Sequence, residues 1–180
     1  MYVYFSDHYE YDYEMLERQK VDPFANICSL RFFTEDTGIC QEVSAAYSYL
    51  LMQAGVEATV MSGKRGSDGV GHQWSYVRIN GSDFHVDPTY VLSDKGSLSY
   101  FMMTDAQREA EDGYDPADFY ITSHYSREHP HPDYAADDET FSAVWPYVFD
   151  GFLPEKDILL GSRYDENGNR VDLEFDYAGY

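Results

Sequence analysis

The chain has 180 residues, with 12 basic and 33 acidic side chains and a formal net charge of −21 at pH 7. That charge argues against direct binding to nucleic acid or to an anionic membrane surface, since both draw on clustered Lys and Arg. A hydrophobic content of 43% argues against disorder, two Cys cannot build a disulfide framework, and no apolar run approaches the roughly 20 residues of a membrane span.

The length fits a single domain over residues 1–180, and a chain of this size buries about 70% of the surface its unfolded form exposes. The acidic residues are dispersed and read as a solvated surface, compatible with a neutral or cationic substrate. The N-terminus, Met1-Tyr2-Val3-Tyr4-Phe5, lacks the charged-apolar-small pattern of a secretory signal. Two locations fit: cytoplasmic, or extracellular or at the cell surface if this is a domain excised from a longer exported protein.

Residues 1–36 are aromatic and acidic with mixed periodicity; Met15 to Lys20 reads as a helical turn or two, stopped by Pro23. The clearest helix spans 40–54. Val43, Ala46, Tyr47, Leu50, Leu51 and Ala54 fall on one face of a 3.6-residue period, Thr37-Gly38 can supply the turn and cap, and Gly55 the stop. Val56 to Met61 reads as a strand, and Ser62 to Gly71, with its glycines, as a loop. His72 to Ile79 and Phe84 to Thr89 alternate about Asn80-Gly81, the strongest short hairpin signal; this setting also disfavours a glycosylated Asn80-Gly81-Ser82. Thr104 to Gln107 has the form of a capping box. Residues 112–140 read as an extended loop that could line a cleft. Phe141, Val144 and Trp145 suggest a brief helix ended by Pro146. Ile158 to Tyr164 and Arg170 to Phe175 form a second hairpin, so 112–180 is a loop-rich extension carrying a β-hairpin.

Cys40 falls in the first turn of the clearest helix. Free N–H groups and the positive end of the dipole there favour a thiolate, the form that acts as nucleophile. Cys28 has no helix-start pattern and reads as structural. A nucleophilic thiol needs a base, and the base an orienting group. If Asn80-Gly81 is a two-residue turn, Ile79 faces Ser82, His72 faces Thr89, and His72 and Asp87 become diagonal neighbours on one sheet face, about 7–8 Å apart at the backbone. His85 shares that face but reads as a packed or exposed histidine.

Three segments resemble, in order, the boxes of the transglutaminase-like superfamily. Gly38-Ile39-Cys40-Gln41 and the helix behind it are similar to its Cys box, Gly71-His72-Gln73-Trp74 to its His box, and Phe84-His85-Val86-Asp87-Pro88-Thr89 to its Asp box. The spacings, 32 residues from Cys40 to His72 and 15 more to Asp87, also resemble the family's. Ser99 to Asp105 is similar to a segment that follows the Asp box in many bacterial members. The motif core is 38–90. The resemblance implies an α+β, papain-like fold with the Cys helix packed on an antiparallel sheet that carries His and Asp. It implies cofactor-free acyl chemistry with Cys40 as nucleophile, His72 as base and acid, Asp87 as orienter and the Cys40 N–H as oxyanion donor, with Gln41 and Trp74 at the substrate. Trp74 either walls the cleft or packs across the sheet. Gln73 stands where the family usually has Ala, and no Trp precedes Cys40, so hydrolysis of peptide or carboxamide bonds is better supported than cross-linking. Bacterial relatives are often exported, which suggests a peptide or protein substrate linked to the cell envelope.

Two other readings compete. Cys40, His72, His85 and Asp87, or His124, His129, His131 and Asp133, could ligate a metal, but no tight pair of zinc-type spacing occurs. A module that keeps the fold and binds peptide or glycan without catalysis is the second; the complete triad argues against it.

Overall fold

The computed structural model describes residues 1–22, 25, 27–121, 135–142, 147–153, 155–156 and 158–176. The chain begins with helix α1 (Tyr2–His8), a two-residue strand β1 (Glu10–Tyr11), α2 (Tyr13–Val21), α3 (Ser29–Glu35), a second short strand β2 (Thr37–Gly38) and α4 (Cys40–Gln53). Strands β3 (Glu57–Lys64), β4 (Gly71–Ile79) and β5 (Ser82–Val86) follow, then α5 (Pro88–Ser93), α6 (Asp105–Asp112), a 3-10 turn (Pro116–Asp118) and β6 (Tyr120–Ile121). Strands β7 (Tyr147–Leu153), β8 (Ile158–Tyr164) and β9 (Arg170–Asp176) complete it. Helices and antiparallel strands are segregated along the chain, which makes the fold α+β.

The central sheet has the order β5-β4-β3-β6, all antiparallel, and α4 packs on β3 and β4. The apolar stripe of α4 explains the packing: Val43, Ala46 and Tyr47 are buried against Val77, Phe84 and Val86, and Leu50 and Leu51 are half-buried. Only Ala54 of the expected stripe faces solvent. Gly55 ends the helix with φ +83°. On the other face of β4, Trp74 and Tyr76 join Met61, Tyr114 and Phe119 in a second buried cluster. The strands β7-β8-β9 form a separate antiparallel sheet, tied to the rest by a bridge between Ser97 and Val148.

The first hairpin has the expected register. Ile79 pairs with Ser82 and Ser75 with Val86, around Asn80 (φ +53°) and Gly81 (φ +90°). The expected second hairpin is likewise present, with Asp165 accepting from the Asn167 and Asn169 N–H groups in its turn, and β7 adds a strand that the sequence reading did not include. The capping box of α6 is formed by Thr104 and Gln107.

Five expectations are corrected. The strand read as Val56–Met61 continues to Lys64, so the loop is only 65–70. Gly63 is a packing residue there: a Cβ would meet Trp74 Cη2 at 2.8 Å and Phe119 Cδ1 at 3.0 Å. The strand read as Phe84–Thr89 stops at Val86, because Asp87 caps α5 by accepting from the Thr89 N–H and Pro88 occupies its first turn. Thr37 does not cap α4; it lies in β2, parallel to β1, and its hydroxyl donates to the Glu10 carbonyl. Cys28, read as structural, is exposed at the N-cap of α3. Within 112–140, the 3-10 turn and β6 occupy part of the segment read as loop, and 122–134 lies outside the described residues, as do 143–146 of the brief helix expected around Trp145.

Candidate active site

Cys40 opens α4, but its N-cap is Ile39, which has no side-chain oxygen to offer. Glu42 replaces it. This fully buried carboxylate accepts the Ile39 N–H at 3.1 Å and the Cys28 N–H at 2.9 Å, and takes Arg31 through Nε at 2.9 Å. Arg31 Nη1 reaches on to Asp12 at 2.7 Å, and Asp12 caps α2 through the Met15 N–H. One ion network therefore fixes the starts of α2, α3 and α4 to one another, and with them the position of the thiol. An acid in the first turn of a helix is a readable signal; its partner Arg31 is set by tertiary structure alone.

His72 comes from the start of β4 and Asp87 from the end of β5. His72 Nε2 lies 2.7 Å from Asp87 Oδ2, and Cys40 lines the same cleft as the ring, close enough to help raise its pKa. With Nε2 taken by the carboxylate, Nδ1 is the nitrogen that serves the thiol. The sequence-derived trio is thus brought together in the order Cys40, His72, Asp87, although Asp87 arrives as a helix cap rather than as a strand residue. Asp87 is fully buried, which favours its neutral form, but the charges of His72 and Arg108 and hydrogen bonds from His72 and the Thr89 N–H hold it below the usual carboxylate range. Burial opposes the charged form of His72, yet Asp87 and then Cys40 outweigh it and push its pKa up to about 9.

The elevated His72 pKa makes stability fall with alkali. The ring holds its proton more tightly folded than unfolded, so its contribution is complete below about pH 6.5 and is lost as pH rises through about 9. Denaturant titrations from pH 6.5 to 10 should show a decline on the order of 3 kcal/mol that His72→Gln lacks. An equal decline in the variant would assign it to other groups.

The site opens on a cleft of about 380 Å³ lined by Cys40, His72, Tyr11, Tyr13, Tyr90 and Tyr114 among others. Among the described residues no carboxylate side chain lines it, and Arg65 there is paired with Asp68. Tyr11, which sequence reasoning missed, reaches the site because β1 pairs with β2 and sets it opposite Gly38. Burial, followed by the adjacent Cys40, raises its hydroxyl above the ordinary tyrosine range. Nothing in its local sequence marks it.

The two residues expected at the substrate lie elsewhere. Trp74 is fully buried beside the His72 ring, donating Nε1–H to His85 Nδ1 at 2.7 Å. Of its two readings, packing describes its place. Gln41 is half-buried and accepts from Gln19 Nε2 at 3.2 Å, joining α2 to α4. His85 is a packed histidine: the Trp74 bond leaves Nδ1 unprotonated, so Nε2 carries the proton toward Asp105 Oδ1 at 2.7 Å. Among the described residues no group of three His, Cys, Asp or Glu side chains could hold a metal ion; His124, His129, His131 and Asp133 lie outside them. Among the described residues, too, no helix is long and apolar enough to cross a membrane.

No family model matches the sequence, and no curated protein does. Among solved structures the chain is similar to a "Putative Cysteine Protease" from Cytophaga hutchinsonii, with 15% identity and a TM-score of 0.40, over 50% of this chain and 29% of that one. It is also similar to a TGase, with 19% identity and a TM-score of 0.45, over 80% of this chain and 38% of that one. The chain spans less than two fifths of the length of either relative.

Proposed function

We propose that this chain is a transglutaminase-like cysteine acyl-transfer enzyme that hydrolyses peptide or carboxamide bonds. The observation that carries the reading is the His72–Asp87 pair, 2.7 Å apart, with His72 and Cys40 lining one open cleft and Cys40 at a helix N-terminus. Thiol, base and orienting carboxylate in hydrogen-bond reach are the parts of an activated nucleophile.

The steps follow from the atoms present. His72 Nδ1 takes the thiol proton, and Cys40 Sγ attacks the substrate carbonyl carbon. The carbonyl oxygen becomes an oxyanion at the Cys40 N–H, with the Tyr11 hydroxyl beside it as a second donor. The C–N bond breaks as His72 returns the proton to the leaving amine or ammonia. Water then attacks the thioester, gives a proton to His72, and releases the carboxylic acid while the thiol is re-formed. Asp87 holds the ring and supports its cationic form throughout. The uncharged aromatic walls suit a peptide segment, and nothing in them demands a cationic one.

Incubation of the chain with a peptide library, followed for new amino termini and released ammonia, tests this directly. Turnover should vanish in Cys40→Ser and fall by at least about a thousandfold in His72→Ala. Turnover that survives Cys40→Ser would refute thiol catalysis. Incorporation of an added primary amine in place of hydrolysis would assign the acyl-enzyme to cross-linking.

A further inference from the structure

The carboxylate that orients His72 has a second cationic partner. Arg108, on α6, is fully buried, and its Nη2 lies 2.8 Å from Asp87 Oδ2, the oxygen that also binds His72 Nε2. The guanidinium is framed by aromatic rings, with Cζ 4.4 Å from the Trp74 centroid, 4.8 Å from Tyr114 and 5.7 Å from Tyr90. Trp74 and Tyr114 also flank the imidazole, each with its centroid 5.9 Å from the His72 ring. The same two rings thus hold both cations around one carboxylate. A permanently charged guanidinium stacks between the rings and still offers an N–H to the acid.

We propose that Arg108 is a positioning residue of the catalytic site, which keeps Asp87 ionised in the core and, by sharing Oδ2, sets how tightly His72 holds its proton. The role follows from charge. A buried carboxylate with a single partner would bind the His72 proton strongly, and an imidazolium so held is a poor acid toward the leaving amine. A second cation on the same oxygen weakens that hold. With Arg108 present, the attacking state contains two anions, Cys40 and Asp87, and two cations, His72 and Arg108. Without it the buried site would carry an unbalanced negative charge.

Among the described residues, the titratable and charged groups around His72 are Cys40 from α4, Asp87 at the start of α5 and Tyr90 within it, Arg108 from α6 and Tyr114 just beyond it. Tyr11 and Arg65 stand along the cleft, and Tyr2 of α1 donates to the Asp87 carbonyl. Arg108 is the cation among them that shares an Asp87 oxygen with the ring.

The proposal rests on the catalytic reading for its consequence, but its test needs no substrate. NMR titration of the His72 ring is compared in the wild type, Arg108→Gln and Arg108→Lys, with folding checked by circular dichroism. Loss of the charge should raise the His72 midpoint by about one pH unit, a tenfold gain in proton affinity, and Arg108→Lys should restore most of the wild-type value. In the wild type, the Arg108 guanidinium signals should move with the His72 midpoint, which keeps the test valid if Arg108→Gln does not fold. An unchanged or lowered midpoint in folded Arg108→Gln, or guanidinium signals indifferent to His72, would overturn the proposal. An inert Cys40 would instead refute the catalytic reading and leave these shifts in place.

Discussion

Glu42→Ala is expected to destabilise the protein by about 3–5 kcal/mol, the range for removing one partner of a buried ion pair. Glu42 is fully buried and takes Arg31, the Ile39 N–H and the Cys28 N–H. Alanine leaves a buried guanidinium short of its main partner and two N–H groups at helix starts without their acceptor. Glu35 provides the contrast: it also meets Arg31, at 3.2 Å, but its side chain is 56% exposed. Its replacement should cost less than about 1 kcal/mol. Urea denaturation of both variants decides the matter, and equal losses would remove Glu42 from its place in the network. A folded Glu42→Ala protein should also react more slowly at Cys40, since the same carboxylate fixes the turn that presents the thiol.

Asp87→Asn should produce the second large effect. Asn can still cap α5, so the backbone has little reason to move. What disappears is the charge. The His72 midpoint, pushed up to about 9 in the native protein, should fall to or below its ordinary 6.5, because burial then acts against the imidazolium with its chief support gone. Arg108 is left as a buried cation without its carboxylate, so stability should drop by several kcal/mol. Hydrolysis should fall by about four orders of magnitude, as expected when the orienting acid of a triad loses its charge. Ring titration, urea denaturation and turnover measure the three parts. A His72 midpoint that stays near 9 in Asp87→Asn would show that Asp87 does not control the ring.

The parts of the structure legible in the sequence are those encoded locally. The stripe from Val43 to Leu51 specifies α4, and Asn80-Gly81 specifies the turn and register that bring His72 toward Asp87. The Thr104–Gln107 box starts α6 as its spacing indicates. Errors arose where a local signal had two physical meanings. Glycine at 63 reads as loop but serves the packing of Trp74 and Phe119. Asp87-Pro88 continues an alternating run, yet it is also a helix cap followed by a first-turn proline, and the cap prevails. Tyr11, Arg31 and Arg108 were not legible because their roles depend on partners 29, 11 and 21 positions away, with no periodicity linking them. Trp74 illustrates the same limit: its type fits either a cleft wall or a core, and only the positions of His85 and Arg108 separate the two.

The central claim is that His72 activates the Cys40 thiol. The most direct measurement is the pH dependence of iodoacetamide alkylation, resolved by mass spectrometry at Cys40 and Cys28, in the wild type and in His72→Ala. Cys28 is exposed at the N-cap of α3, so it serves as the internal comparison. The account predicts that Cys40, although less exposed, labels faster than Cys28 at and below neutral pH, and that His72→Ala slows Cys40 at least tenfold while leaving Cys28 unchanged. Labelling of Cys40 that follows the pH profile of Cys28 and ignores His72→Ala would contradict the account and leave a fold that binds without catalysing.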